Sequence, residues 1–166
     1  NQILIQENDF QQAYQQLTDA YARCSFTDLL LESGVDVLST FTKVPIAFAY
    51  RSTSPLLTHV TLPNGIVEVG ASAFEYCEPL KSIYLPDTVL EIQSAAFGEC
   101  SNLETIELPK ELTYMGSDVF QWCSNLKTVN FRGNQVELIA TGAFRACSLL
   151  DHVILPDRDT IVGRSA

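Results

Sequence analysis

Apolar residues return along this chain in one phase. Leu80, Ile83, Leu85 and then Pro86 recur as Leu57, Val60, Leu62, Pro63; as Leu103, Ile106, Leu108, Pro109; as Leu126, Val129, Phe131; and as Leu150, Val153, Leu155, Pro156. Successive copies start 23, 23, 23 and 24 residues apart. A period of that length marks a solenoid, in which one unit cannot bury its own apolar face and stacked units make a continuous core.

Each unit has three parts. The Leu-x-x-Ile-x-Leu segment alternates over its last residues and is rich in β-formers, which predicts a short strand. Proline closes it, where a missing amide costs a ladder nothing. A turn with two inward apolar residues follows: Ile66 and Val69, Val89 and Ile92, Leu112 and Met115, Val136 and Ile139. Last come a small residue, Phe, Cys three later and Leu three after that, as in Ala96, Phe97, Cys100, Leu103. Spacing of three predicts one turn of 3₁₀ or α helix with Phe and Cys on one face. Stacked units then place strands about 4.8 Å apart in a parallel sheet. The bulkier Phe-bearing turns need more room, so the expected shape is an α/β solenoid curved as a horseshoe. Short parallel strands would line its concave face and short helical turns its convex face.

Upstream the pattern changes. Phe10, Tyr14, Leu17, Tyr21 and Cys24 fall on one face of a helix, and residues 1–34 are expected to form an N-terminal helical cap over the open end of the solenoid. Residues 35–56 read as a degenerate first repeat: Ile46-Ala47-Phe48 echoes the later motif, with about three extra residues around Arg51–Pro55. Residues 57–166 hold the regular repeats, about four to five, the last cut short at Ser165-Ala166 where the rhythm next requires Phe.

Composition narrows the function. Twenty acidic against 10 basic residues give a net charge of −10, the wrong sign for nucleic acid or for an anionic membrane surface. No apolar run approaches the roughly 18 residues a spanning helix needs. Asn1–Ile5 carry no leader pattern, and the chain does not open on Met, so this end does not report the compartment. Cys77, Cys100, Cys123 and Cys147 keep step with the repeat, so they read as small buried hydrophobes, not as a metal or redox pair. The two histidines, His59 and His152, sit four rungs apart, roughly 19 Å, too far to share a metal or a proton. No phosphate loop, HExxH helix or nucleophile elbow is present. No enzyme and no cofactor is expected.

The unit LPDTVLEIQSAAFGECSNLETIELP resembles the BspA-like, Treponema pallidum-type, leucine-rich repeat. Its mark is an Ile-x-x-x-Ala-Phe-x-x-Cys-x-x-Leu-x-x-Ile-x-Leu-Pro rhythm. The likeness runs from Leu57 to the end, with one departure where Phe131-Arg132-Gly133 replaces Leu-Pro. It implies the leucine-rich repeat fold and an adhesion or interaction module, extracellular or at the cell surface, on mostly host-associated bacteria.

The third and fifth positions of each strand segment should face the concave side. They form one row of His59, Ser82, Thr105, Thr128 and His152, and a second of Thr61, Tyr84, Glu107, Asn130 and Ile154. A rigid array of this kind suits an extended protein partner. Tyr84 is the best anchor because tyrosine is enriched at hot spots; Trp122, on the outer turn, is second. The competing expectation is a structural element of a virion or multi-subunit particle, with repeats stacking on other chains.

Overall fold

The computed structural model describes residues 42–166 apart from 45, 52–54, 63, 132, 134 and 157, with backbone alone at 55–56. The expected cap over residues 1–34 lies outside the described residues. The rest is a parallel β-solenoid with two ladders of strands per coil. The first ladder holds the predicted strands: β2 (His59–Thr61), β4 (Ser82–Tyr84), β6 (Thr105–Glu107), β8 (Thr128–Asn130) and β10 (His152–Ile154). Partners lie one repeat apart, as in Ile106 opposite Val129 and Val129 opposite Val153. The second ladder holds two-residue strands: β1 (Lys43–Val44), β3 (Glu68–Val69), β5 (Glu91–Ile92), β7 (Tyr114–Met115), β9 (Leu138–Ile139) and β11 (Ile161–Val162). The sequence pattern read this stretch as a plain turn. Its inward apolar residues Val69, Ile92, Met115 and Ile139 are the second residue of each strand and are buried.

The helical turns expected on the convex side are not formed. The only helical element among the described residues is a 3₁₀ turn at Pro55–Thr58. Each Phe-bearing segment is instead a run of tight turns, and its hydrogen bonds show why. The amides of Ser72, Phe74 and Tyr76 reach across to the carbonyls of Ser94, Ala96 and Gly98 on the next coil. Those of Ala73, Glu75 and Cys77 turn back to Gly70, Ser72 and Phe74 within their own coil. A helix spends every amide internally; this path spends every second one laterally. It does so by entering the left-handed region twice per coil, at Ser72 and Tyr76, Ala95 and Glu99, Asp118 and Trp122. Without helices about 10 Å wide on one side, the reason for a horseshoe disappears, since both sides repeat at a ladder spacing.

The first coil departs from the expected phase. Positive φ at Ala47 and Arg51, and pairing of Lys43 and Val44 with Glu68 and Val69, set it 25 residues ahead of the second coil. The next two coils pair at 23. Two extra residues, not three, therefore separate it from β2, and Phe48 stands where Ala73 and Ala96 stand. A ring in a small residue's place cannot stack, so Phe48 meets Phe74 edge-on at 70°.

The core is a set of rows along the coil axis. Phe74, Phe97, Phe120 and Phe144 stack with centroids 5.5, 5.5 and 5.8 Å apart and planes within 8°. Such pairs add about 0.5–1.5 kcal/mol beyond area burial. Beside them runs a thiol ladder. The Cys100 thiol donates to the Phe74 carbonyl (3.1 Å), Cys123 to Phe97 (3.1 Å) and Cys147 to Phe120 (3.0 Å). Each of those carbonyls already accepts the amide of the cysteine in its own coil. The thiol thus occupies the second lone pair of a buried carbonyl, which a simple hydrophobe could not do. Burial raises the thiol pKa values, with Cys123 pushed well up and Cys147, at the more open end, to about 11.

Three outcomes test this packing. Phe97→Ala should cost about 3–5 kcal/mol, read as a lowered denaturation midpoint; a midpoint within error of wild type would overturn the stack. In the native protein Cys77, Cys100 and Cys123 should resist alkylation and Cys147 should react ahead of them, because thiolate is the nucleophile and burial withholds it. Stability should fall as pH climbs from 9.0 toward 11, since the unfolded chain ionises thiols that the coils keep neutral. A pH series of melting curves, with alkylation sites mapped by mass spectrometry, checks both.

Candidate functional site

Side chains alternate across a strand, so burying the middle residue of β4, β6 and β8 turns its neighbours outward. Ile83, Ile106 and Val129 are buried, and the residues on either side form the face predicted for binding. His59 lies opposite Ser82 and Thr61 opposite Tyr84. Thr105 lies opposite Thr128 and Glu107 opposite Asn130, and His152 continues the row beyond Thr128. Tyr84 stands 53% exposed.

This face is not uniform. β2 pairs with β4, and β6 pairs with β8 and β10, while β4 and β6 lie side by side without ladder pairing. Over that seam a shallow depression of about 320 Å³ is lined by His59, Thr61, Ser82, Tyr84, Thr105 and Glu107. Six of the ten residues in the two predicted rows are thus gathered. Thr128, Asn130 and His152 lie further along the same sheet, where the His152 ring meets Asp151 at 2.7 Å. The volume is at the lower end for a small-molecule pocket and the lining mixes polar side chains with Val60 and Ile83 at its floor, a shape for one side chain of a larger ligand.

The second ladder carries an outward row that the sequence reading missed. Tyr114, Leu138 and Ile161 are 47%, 49% and 69% exposed. Tyr114 and Leu138 directly precede the buried Met115 and Ile139, Ile161 precedes Val162 on the last coil, and that one-step alternation was the available signal. β7 and β9 do not pair, because the 24-residue copy inserts a residue at the corner after β8. A groove opens there beside Tyr114, Met115 and Leu138, and Arg158 closes one side through Gln135 Oε1 (2.9 Å) and Glu137 Oε1 (3.0 Å).

The third surface is the turn side. Tyr50 and Tyr76 meet edge-on at 5.6 Å, with the Arg51 guanidinium 5.2 Å from the Tyr76 ring. A hydrogen bond to Glu99, and its charge, raise the Tyr76 pKa above 10.0. Trp122 follows in the same row, 53% exposed and in the left-handed region. Among the described residues no three metal-ligating side chains converge, and no helix is long and apolar enough to cross a membrane.

Comparison with known proteins agrees with this architecture. The family model described as BspA type leucine-rich repeat region matches residues 46–166 in 6 copies. A leucine-rich repeat protein from Eubacterium ventriosum is 28% identical with a TM-score of 0.53, over 60% of this chain and 33% of its own. The leucine-rich repeat protein of T. pallidum is 28% identical with a TM-score of 0.56, over 73% of this chain and 66% of its own. The chain therefore spans a third of one solved relative and just under two thirds of the other. A search of curated proteins finds no match. Repeat length, the Phe and Cys rows and the paired parallel strands converge on one assignment: the chain belongs to the BspA-type leucine-rich repeat family, a repeat-scaffold fold.

Proposed function

We propose that this chain is a non-enzymatic protein-binding scaffold of a bacterial surface or secreted protein, holding an extended segment of a protein partner on the face of the first ladder. The observation that carries this reading is the depression over the β4–β6 seam. There Tyr84, half exposed, stands beside His59, Thr61, Ser82, Thr105 and Glu107, on strands held by ladder bonds to β2 on one side of the seam and to β8 on the other. A rigid platform spares a ligand much of the ordering cost of binding. Donors and acceptors flanking one aromatic ring fit a polypeptide with a side chain seated in the depression and polar groups along the row. Thr128, Asn130 and His152 extend the same row for a ligand longer than the depression. The family resemblance supports adhesion and a place outside the cell, because its members with known settings are mostly surface or secreted proteins of bacteria. Relatives from E. ventriosum and T. pallidum are bacterial as well.

The test is capture from matrix and cell-surface extracts by wild type and by a Tyr84→Ala/Glu107→Ala double variant with an unchanged melting temperature. Wild type should retain a defined protein that the variant loses. Removing a hot-spot tyrosine typically costs about 2 kcal/mol or more, some thirtyfold in affinity. Equal capture by both would remove the binding role from this face.

A further inference from the structure

The second left-handed residue of each Phe-bearing segment forms one outward row along the turn side: Arg51, Tyr76, Glu99, Trp122 and Ala146. Lateral bonds fix it, since the amides of Arg51, Tyr76, Glu99 and Trp122 each reach a carbonyl on the next coil. The row opens with a cation seated on aromatic rings. The Arg51 guanidinium lies 5.2 Å from the Tyr76 ring centroid and 5.9 Å from that of Tyr50. A cation is drawn to the negative face of a ring, and Arg51 shows this surface holding one. Two coils on, Trp122 offers a larger ring, 53% exposed, and among the described residues no cation lies over it. Arg145, the base on the next coil, is turned to Gln121 Oε1 at 3.2 Å. The row neighbours of Trp122 are the carboxylate of Glu99 one coil back and the methyl group of Ala146 one coil ahead, each at roughly the 4.8 Å of a ladder step.

We propose that Trp122 and Glu99 form a site for an arginine side chain presented by a partner polypeptide. A guanidinium stacks on an aromatic face and pairs with a carboxylate, and here the two stand one coil apart on a fixed backbone. Lysine, compact and strongly hydrated, suits the ring less well. Glu99 is held in place by the Tyr76 hydroxyl, a neutral donor that leaves the negative charge uncompensated. The wider surface has the matching sign. The Phe-bearing segments carry Glu75, Glu78, Glu99 and Asp118 against Arg51 and Arg145, and both of those bases are already engaged within the chain. The net charge of −10 draws a basic partner toward the protein. This site lies on the turn side and not on the first ladder, so it stands independently of the binding role proposed for that face.

Trp122 is the only tryptophan in the chain, so its indole N–H signal in a nitrogen–proton correlation spectrum reports on the site directly. The probe is a blocked Gly-Ser-Arg-Ser-Gly peptide titrated into the whole chain. Wild type should show a saturable shift of that signal. The same peptide with citrulline in place of arginine should produce none, because the charge is gone. Glu99→Gln keeps an acceptor for Tyr76 and removes the charge, so affinity should fall about threefold. Trp122→Ala gives this coil the residue that the next coil already holds at the same left-handed position, so the fold is kept. Binding to that variant, read by saturation transfer to the peptide, should weaken about fivefold or more. Glu111→Gln removes the same charge from an exposed position elsewhere and should bind as wild type does. The absence of a saturable shift, an equal response to citrulline, or unchanged affinity in Trp122→Ala would each overturn the proposal. So would a loss in Glu111→Gln equal to that in Glu99→Gln, which marks a general response to negative charge. A shift caused by maltopentaose and not by the arginine peptide would give the ring to a sugar and overturn it as well.

Discussion

Everything in this molecule depends on the lateral hydrogen bond from one coil to the next. In the Phe-bearing segment every second amide leaves its own coil, and in the strands the ladder does the same. That demand sets the backbone: two residues per coil enter the left-handed region, at about 1–2 kcal/mol each for a residue with a side chain. Net gain from each lateral bond is about 0.5–1.5 kcal/mol. Strain and bonding thus come close to cancelling, and the surplus must come from the rows the bonds bring together. The stacked phenylalanines, each buried for about 1.5–3 kcal/mol, supply it.

The thiol ladder belongs to the same logic. Tight turns leave the Phe74, Phe97 and Phe120 carbonyls facing inward with one lone pair unused by the local turn. A buried acceptor left short costs free energy. Cysteine is small enough for the row and carries a donor. The asparagines do similar work outside, where Asn102 Nδ2 reaches the Glu78 carbonyl at 2.8 Å and Asn125 Nδ2 approaches Asn102 Oδ1 at 3.4 Å.

Irregularities in the repeat are where surface character changes. The seam between β4 and β6 hosts the polar depression. The extra residue after β8 parts β7 from β9 and opens the apolar groove. Phe131, standing where other coils use Leu, turns edge-on to Phe144 at 84° and fills the widened corner. A strictly periodic stack would present identical rungs; these departures give each face a place unlike its neighbours.

The period, the inward rows, the strand segments and the two outward rows of the first face could all be read from the chain, because spacing within a unit and between units needs no coordinates. The family rhythm was legible for the same reason. Three things were not. A three-residue spacing of Phe and Cys fits a helical turn and a pair of left-handed tight turns equally well; only the need to bond sideways chooses between them. Two-residue strands such as Glu91–Ile92 show a single step of alternation, too little to tell a strand from a turn, so the second ladder with its outward Tyr114, Leu138 and Ile161 was established by the pairing of coils. Phe48 reads in phase with Phe74 as a letter, yet the β1–β3 register moves it by one position. Sequence spacing determined what stacks. Coil-to-coil pairing decided the backbone path between the stacked residues, and with it which side chains reach the surface together.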